Sequence, residues 1–261
     1  MQKTYRKEMP IIVGLAGKAG SGKTSVAEYF VPKGAIDSKI YGTKWDHIFY
    51  ALPLYELASI KKSIKGVNEE DRQLYAIHET LFDIYGGSAL GLVPSYDNLV
   101  SRVKDIYSMP IEPNGIKPRT FLQKAGDICR KDYEDCFAKW GVAKCVKLYQ
   151  QYRKSIVEDE EELPFVVFIS DVRFFNEAER ILKQPNGIVV CFDADQSTLD
   201  NRILKRDGKL MSQEQTSHRS EQEIDLIKEM ASYIIRTDNM SIEEQAMETI
   251  KTIGILKEQN A

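Results

Sequence analysis

An α/β fold, with a parallel sheet of about five strands flanked by helices, is what this chain of 261 residues predicts. Three observations carry that expectation. Short apolar runs recur along the chain at 11–13, 45–50, 165–170, 188–192 and 233–235. Longer stretches with apolar residues at helical spacing lie between them. Two of the runs, 165–170 and 188–192, are continuously apolar rather than alternating, which suits parallel strands covered on both faces.

The first run, Ile11-Ile12-Val13, leads into the most informative stretch of the chain. Gly17, Gly22, Lys23 and Thr24 satisfy the pattern G-x-x-x-x-G-K-[ST], between a strand and a helix that begins near Val26. Glycines let such a loop curl until successive backbone N–H groups point inward at phosphate oxygens. The helix that follows adds its unpaired amides and positive dipole end. Lys18, Ala19, Gly20, Ser21 and Ser25 complete the expected nucleotide-binding stretch. Lys23 is expected on the β/γ-phosphates and the Thr24 hydroxyl on Mg²⁺. A nucleoside triphosphate is therefore the expected ligand, and a P-loop NTPase fold the expected form of the α/β class.

After the loop helix, Pro32-Lys33-Gly34 breaks the pattern, and 45–50 suits a second strand. Pro53 sits where a helix can begin, with Leu54, Leu57 and Ala58 on one face until Lys61 interrupts it. Residues 61–118 are the least legible. A polar helix is expected over 69–85, ending at Gly86-Gly87, whereas 90–118 is rich in Gly, Pro, Asn and Ser and reads as part of an acceptor-side lobe or as a plain surface insertion. Helices are expected over 120–135 and 138–156, with Gly141 a weak point. The domain expectation is one domain over 1–261 with a largely helical acceptor-side insertion over 61–156. Gln123 and Arg130, seven apart, share a helix face provided Gly126 does not break it, and Arg119 lies close by.

The acidic run 158–162 reads as a solvated loop. The strand run 165–170 ends at Asp171 and precedes a helix capped by Asn176 with Glu179. Ser197 with Asp200 is expected to cap a helix carrying Arg202 and Arg206. Residues 207–222 read as a polar lid loop, and Ser220 as the cap of a helix starting at Glu221. Ser241 and Glu244 form a capping box for a terminal helix over 242–256.

In a parallel sheet ligands gather beyond the carboxyl ends of the strands, where the phosphate loop also sits. Asp171 at such an end can hold Mg²⁺ directly or through water, or else serve a cap or salt bridge. Arg173 can bind a phosphate bidentately or pair with Glu177. Arg202 and Arg206, four apart, share a face that suits a lid excluding water from the triphosphate, or an ordinary exposed basic face. Phosphoryl transfer rests on positioning and charge neutralisation, so no catalytic histidine is required.

Composition narrows the class. With 43% hydrophobic and 29% charged residues, and no apolar run near the roughly 20 residues of a membrane span, no membrane partner is expected. The polar start, with Lys3, Arg6 and Lys7, carries no apolar signal region. The net charge of −3, from 36 basic and 39 acidic residues, disfavours a stable nucleic-acid partner. Cys129, Cys136, Cys145 and Cys191 form no C-x-x-C pair, so reduced thiols in the cytoplasm are expected. Three histidines make a zinc site a poor reading.

Taken together, these segments resemble the deoxynucleoside monophosphate kinases of large tailed bacteriophages, within the P-loop nucleoside monophosphate kinase superfamily. The resemblance rests on 17–24, on Arg119 to Gly126 with Arg130, on Asp171 to Glu177, and on Ser217 to Glu221. It covers most of the chain in order, weakly over 61–118. It implies ATP as donor, Mg²⁺, and a deoxynucleoside 5′-monophosphate acceptor, modified pyrimidines included, in the host cytoplasm. By the same resemblance Arg119, Gln123, Arg130 and Arg173 line the acceptor side, and Lys23, Asp171 and Arg173 the reaction centre. Arg202 and Arg206 match lid arginines.

Two departures stand out. Related chains often read Phe-Ala-Asp-Pro-Leu-Lys where this one has Tyr50-Ala51-Leu52-Pro53-Leu54-Tyr55, and they often carry Asp where this one has Thr24. Two other readings stay open: a kinase acting on a hydroxyl within DNA, and a nucleotide-hydrolysing switch or assembly ATPase. The first lacks a basic surplus, the second a convincing arginine finger. A homodimer is an assembly to test.

Overall fold

The computed structural model describes residues 8–33, 35, 38–59, 68–86, 93, 95–111, 118–157 and 162–254. Contacts divide the chain into two compact units, one of Tyr50–Trp140 and one of the residues on either side of it. The helix beginning at Leu52 belongs to the unit Tyr50–Trp140, and most of the helix Cys136–Ser155 does not.

The flanking unit holds the sheet, and the α/β class is as expected. β1 (Ile11–Ala16) lies in its middle, buried at every residue. β2 (Ser38–Ile40) and β3 (Thr43–Ile48) form an antiparallel hairpin at one edge. β4 (Phe165–Val172) and β5 (Gly187–Asp193) flank β1 in parallel, and β6 (Tyr233–Arg236) continues in parallel beyond β5. The order is β2-β3-β4-β1-β5-β6. The five parallel strands are the five anticipated ones. β2 is an addition, three residues long and too short for a periodicity signal. Its turn, Tyr41-Gly42, has positive φ at both residues (55° and 64°), the geometry that matches hairpin twist.

Helices cover this sheet. α1 (Lys23–Phe30) follows the phosphate loop and sends Val26, Ala27 and Phe30 into the core. Trp45 of β3 packs in a triangle with Phe30 (ring centroids 4.5 Å apart) and Phe168 of β4 (5.3 Å), which also touch each other, while its indole N–H donates to the Ile40 carbonyl at 2.9 Å. Burying aromatic side chains whole contributes about 1.5–3 kcal/mol each, so this stack anchors α1 to the sheet.

The other unit is helical: α2 (Leu52–Ala58), α3 (Glu69–Tyr85), α4 (Tyr96–Tyr107) and α5 (Arg119–Asp132), with the first turn of α6 (Cys136–Ser155). α2 begins with Pro53 in its first turn and buries Leu54, Leu57 and Ala58, as the spacing predicts. α3 has the expected bounds, because the Asn68 side chain accepts from the Asp71 N–H and Gly86 closes the far end in a left-handed conformation. α4 falls within 90–118, an expected insertion with no helix assigned to it. Ser95 caps it, and Leu99, Val100 and Val103 are buried on one face. Neither Gly126 nor Gly141 breaks its helix.

After β4 come α7 (Phe175–Leu182), α8 (Gln196–Asp207), α9 (Gln213–Thr216), α10 (Arg219–Gln222), α11 (Ile224–Met230) and α12 (Ile242–Ile253). Three expected caps are displaced. Asn176 lies inside α7, whose start is capped by the Glu177 carboxylate accepting the Phe174 N–H at 3.1 Å. α8 begins after Asp195, one residue ahead of Ser197's immediate neighbour Gln196. α10 is capped by His218, whose Nδ1 accepts the Ser220 N–H at 3.2 Å. The stretch 207–222, expected as loop, thus contains two short helices. The Ser241–Glu244 box forms as predicted, with both reciprocal bonds, and α12 ends at Gly254. The acidic run 158–162 lies outside the described residues except Glu162. Among the described residues no helix is long and apolar enough to cross a membrane.

Candidate functional site

Strand order places the site. From β1 the chain moves to the β3 side, returns to β4 beside β1, and then crosses to β5 on the opposite side. Direction therefore reverses around β1, and the carboxyl end of a strand at such a switch is where open α/β sheets bind ligands. The loop 17–22 sits there.

The loop's shape follows from its residues. Gly22 adopts φ 97° at the start of α1, a conformation that costs a side-chain-bearing residue strain. A Cβ on Gly22 would also press on the Gln245 carboxamide oxygen of α12. The Ser21 N–H donates to the Lys18 carbonyl at 3.2 Å, closing the turn. The Ser21 hydroxyl is buried with no hydrogen-bond partner, an uncompensated polar group inside the loop. Lys23 is 5% exposed and its ammonium donates to the Lys18 carbonyl at 3.3 Å, laying the charge across the loop. Thr24 and Ser25, one and two residues on, are exposed. Lys18 pairs with Asp225 of α11 at 3.3 Å.

β4 delivers the second set of groups. Its register against β1 steps between Gly14 and Ala16, which face Ile169 and Val172. Asp171 falls in that bulge, and bulges re-aim side chains at strand ends. It is half-buried. Next to it Ser170 is buried, and its hydroxyl lies 2.6 Å from Nε2 of His47 on β3. Burial pushes the His47 pKa down, against the pull of the Asp171 carboxylate, so the ring is neutral at neutral pH.

Arg173 leaves the end of β4 with both ends held. Its backbone N–H donates to Glu177 Oε2 at 2.9 Å, and its guanidinium pairs with Glu221 of α10. The expected Arg173–Glu177 pairing is thus made by the backbone, and the side chain has a different partner. Glu221 is buried, and its other oxygen accepts the Ala19 N–H of the phosphate loop at 3.2 Å.

Arg202 and Arg206 do not act as a pair. Arg202 turns toward the loop and donates to the Gly20 carbonyl at 3.4 Å and to the Thr237 hydroxyl at 3.0 Å. Arg206 points outward, bound to Asp207 at 2.6 and 2.7 Å. Four-residue spacing put them on one side of α8, but Arg202 turns to the Gly20 and Thr237 carbonyls while Arg206 binds the neighbouring Asp207.

In the helical unit Gln123 and Arg130 lie on α5, which Gly126 leaves unbroken. The Arg130 guanidinium sits 4.5 Å from the centre of the Phe137 ring. Arg119 opens α5, and its side chain lies outside the described residues. The four cysteines are buried and no disulfide joins them, with burial raising the thiol pKa of Cys129 to about 12 and of Cys191 to about 11.

Sequence reasoning missed two contributors, His47 and Gln245, for which neither motif nor spacing offers a signal. It read Glu221 as a helix start and as part of the segment 217–221 that carries the resemblance, without a contact to the loop.

No protein-family model matches the chain, and no curated protein matches it. Three solved structures align along nearly the whole chain at low identity. TT1252 from Thermus thermophilus is 16% identical with a TM-score of 0.42, covering 94% of this chain and 96% of its own. An uncharacterised protein from Eubacterium ventriosum is 12% identical (TM-score 0.33; 93% and 97% covered). Dephospho-CoA kinase from Campylobacter jejuni is 16% identical (TM-score 0.31; 94% and 98% covered).

Proposed function

We propose that the chain is an ATP-dependent phosphotransferase converting a deoxynucleoside 5′-monophosphate to its diphosphate. The observation that carries the reading is the bond from a loop amide to Glu221, which ties the phosphate loop to the Arg173 guanidinium. A phosphate loop by itself binds a triphosphate; an arginine held at its edge supplies charge where a phosphoryl group moves.

The residues fit the groups they would hold. The buried Ser21 hydroxyl and the positive-φ glycines leave a cradle for phosphate oxygens, with Lys23 lying across it. The Thr24 hydroxyl and the Asp171 carboxylate are hard oxygen donors of the kind Mg²⁺ takes. When bound, the ion neutralises charge on the β- and γ-phosphates. Arg173 would pair bidentately with the transferring phosphoryl group. Arg202 acts by bracing the loop through the Gly20 carbonyl. Gln123 and Arg130, with Arg119, are assigned to the acceptor on the resemblance alone. The same reading has a cytoplasmic enzyme without stable nucleic-acid or membrane partners.

The test is direct. Purified protein with ATP, Mg²⁺ and a panel of deoxynucleoside monophosphates, modified pyrimidines included, should yield a diphosphate from at least one. No diphosphate from any acceptor sinks the proposal, and ADP release that ignores acceptors would instead indicate a hydrolytic ATPase.

A further inference from the structure

We propose that Glu221 is a positioning residue for phosphoryl transfer: it aims Arg173 at the phosphate loop, and does so at a cost in nucleotide affinity. The inference rests on the phosphotransferase reading above and adds to it a residue with a defined job.

The geometry is specific. One carboxylate joins two segments far apart in the chain, accepting the Ala19 N–H through Oε2 and pairing with the Arg173 guanidinium through Oε1. Its side chain is 8% exposed, so both bonds are sheltered from water, where charge-assisted hydrogen bonds hold geometry best. Neighbouring carboxylates hold the same junction. Glu177 takes the backbone N–H groups of Arg173 and Phe174 at 2.9 and 3.1 Å. Glu223 takes the Phe175 N–H at 2.7 Å and pairs with Arg219, whose guanidinium lies 5.5 Å from the Phe174 ring centre. Arg173 is therefore anchored by its backbone through Glu177 and steered by its head through Glu221.

That arrangement has an electrostatic price. A loop that binds phosphate presents amides and positive charge to an anion, and Glu221 places a fixed anion on one of those amides. Its charge repels an incoming triphosphate, and in a sheltered site such repulsion is poorly screened. Removing the charge while keeping the shape therefore has two opposite effects: Arg173 loses its aim, and the triphosphate binds tighter.

The experiment compares wild type with Glu221→Gln, in kcat at saturating acceptor and in ATP affinity by calorimetry. Glutamine can still accept the Ala19 N–H but cannot pair with a guanidinium. The expected result is a kcat about tenfold or more below wild type together with ATP binding about three- to tenfold tighter. An unchanged kcat overturns the proposal, and so does ATP binding that is weaker than wild type, the mark of a purely structural role. Should the glutamine variant not fold, Glu221→Asp keeps the charge and shortens the reach by one methylene. It should lower kcat with ATP affinity unchanged, and an unchanged kcat again overturns the assignment. If wild type phosphorylates no acceptor, the function proposed above fails. The positioning role falls with it, and the affinity comparison then tests the claimed cost alone: tighter binding supports it and unchanged or weaker binding overturns it.

Discussion

Around the phosphate loop, polar groups converge on a single turn of backbone. Lys23, Arg202, Glu221 and Gln245 come from α1, α8, α10 and α12 and meet 17–22 from different directions. In the unit Tyr50–Trp140 polar groups instead join helices in pairs. Arg102 of α4 binds Asp132 of α5, Lys104 binds Glu70 of α3 at 2.7 Å, and the Trp140 indole donates to Asp83 at 2.8 Å. Around the loop the Ser21 hydroxyl and the Gln245 carboxamide oxygen are buried without a hydrogen-bond partner, and Gly22 takes a φ that only glycine adopts freely; in the helical unit Arg102 Nε is likewise buried without a partner, while Arg102 and Lys104 each reach a carboxylate on another helix. What sets the loop apart is that two unpaired buried polar groups gather there beside a lysine and an arginine. Paired charges between helices serve packing.

Substitutions can break that contrast. Lys23→Ala should lower kcat/KM for phosphoryl transfer by about 10²-fold or more, because a charge aimed at the reacting phosphates is lost. A steady-state assay measures it, and a loss under tenfold would mean the loop is not the reaction centre. Arg102→Ala should cost about 1–3 kcal/mol of stability by leaving the Asp132 carboxylate without its partner, read from urea unfolding. ATP affinity should not move; if it falls as far as in Lys23→Ala, the helical unit does more than pack. The smallest effect concerns pH. The folded His47 pKa lies below its unfolded value of 6.5, so the unfolded chain takes up a proton first. His47 thus stabilises fully above pH 6.5 and loses that contribution as pH falls below it. The urea midpoint should drop between pH 7 and pH 5.5, and His47→Gln should flatten the slope.

What could be read beforehand tracks how local the determining physics is. β1, the loop and α1 were legible because strand, glycines and helix start are contiguous. α3 was legible because Asn68 and Gly86 mark its ends within the sequence itself. α4 was hidden by surrounding Gly, Pro, Asn and Ser, although Ser95 followed by Leu99, Val100 and Val103 is a complete helical signal. β2 depends on pairing with β3, which a three-residue run cannot announce. The site divides in the same way. The loop residues are set by a motif, whereas Arg173 meets a partner 48 residues away that no spacing rule connects to it. The separate fates of Arg202 and Arg206 depend on Thr237, which lies on the far side of β6 in sequence.

The Gln245 carboxamide behind Gly22 also sets an order of events during synthesis. The chain leaves the ribosome with 17–24 first, so the glycine-rich turn exists long before the helix that backs it. Until α12 emerges and docks on α1, nothing stands behind Gly22, and the turn is free to sample other conformations. The backing of Gly22 is therefore completed only once α12 has been made, long after the turn itself.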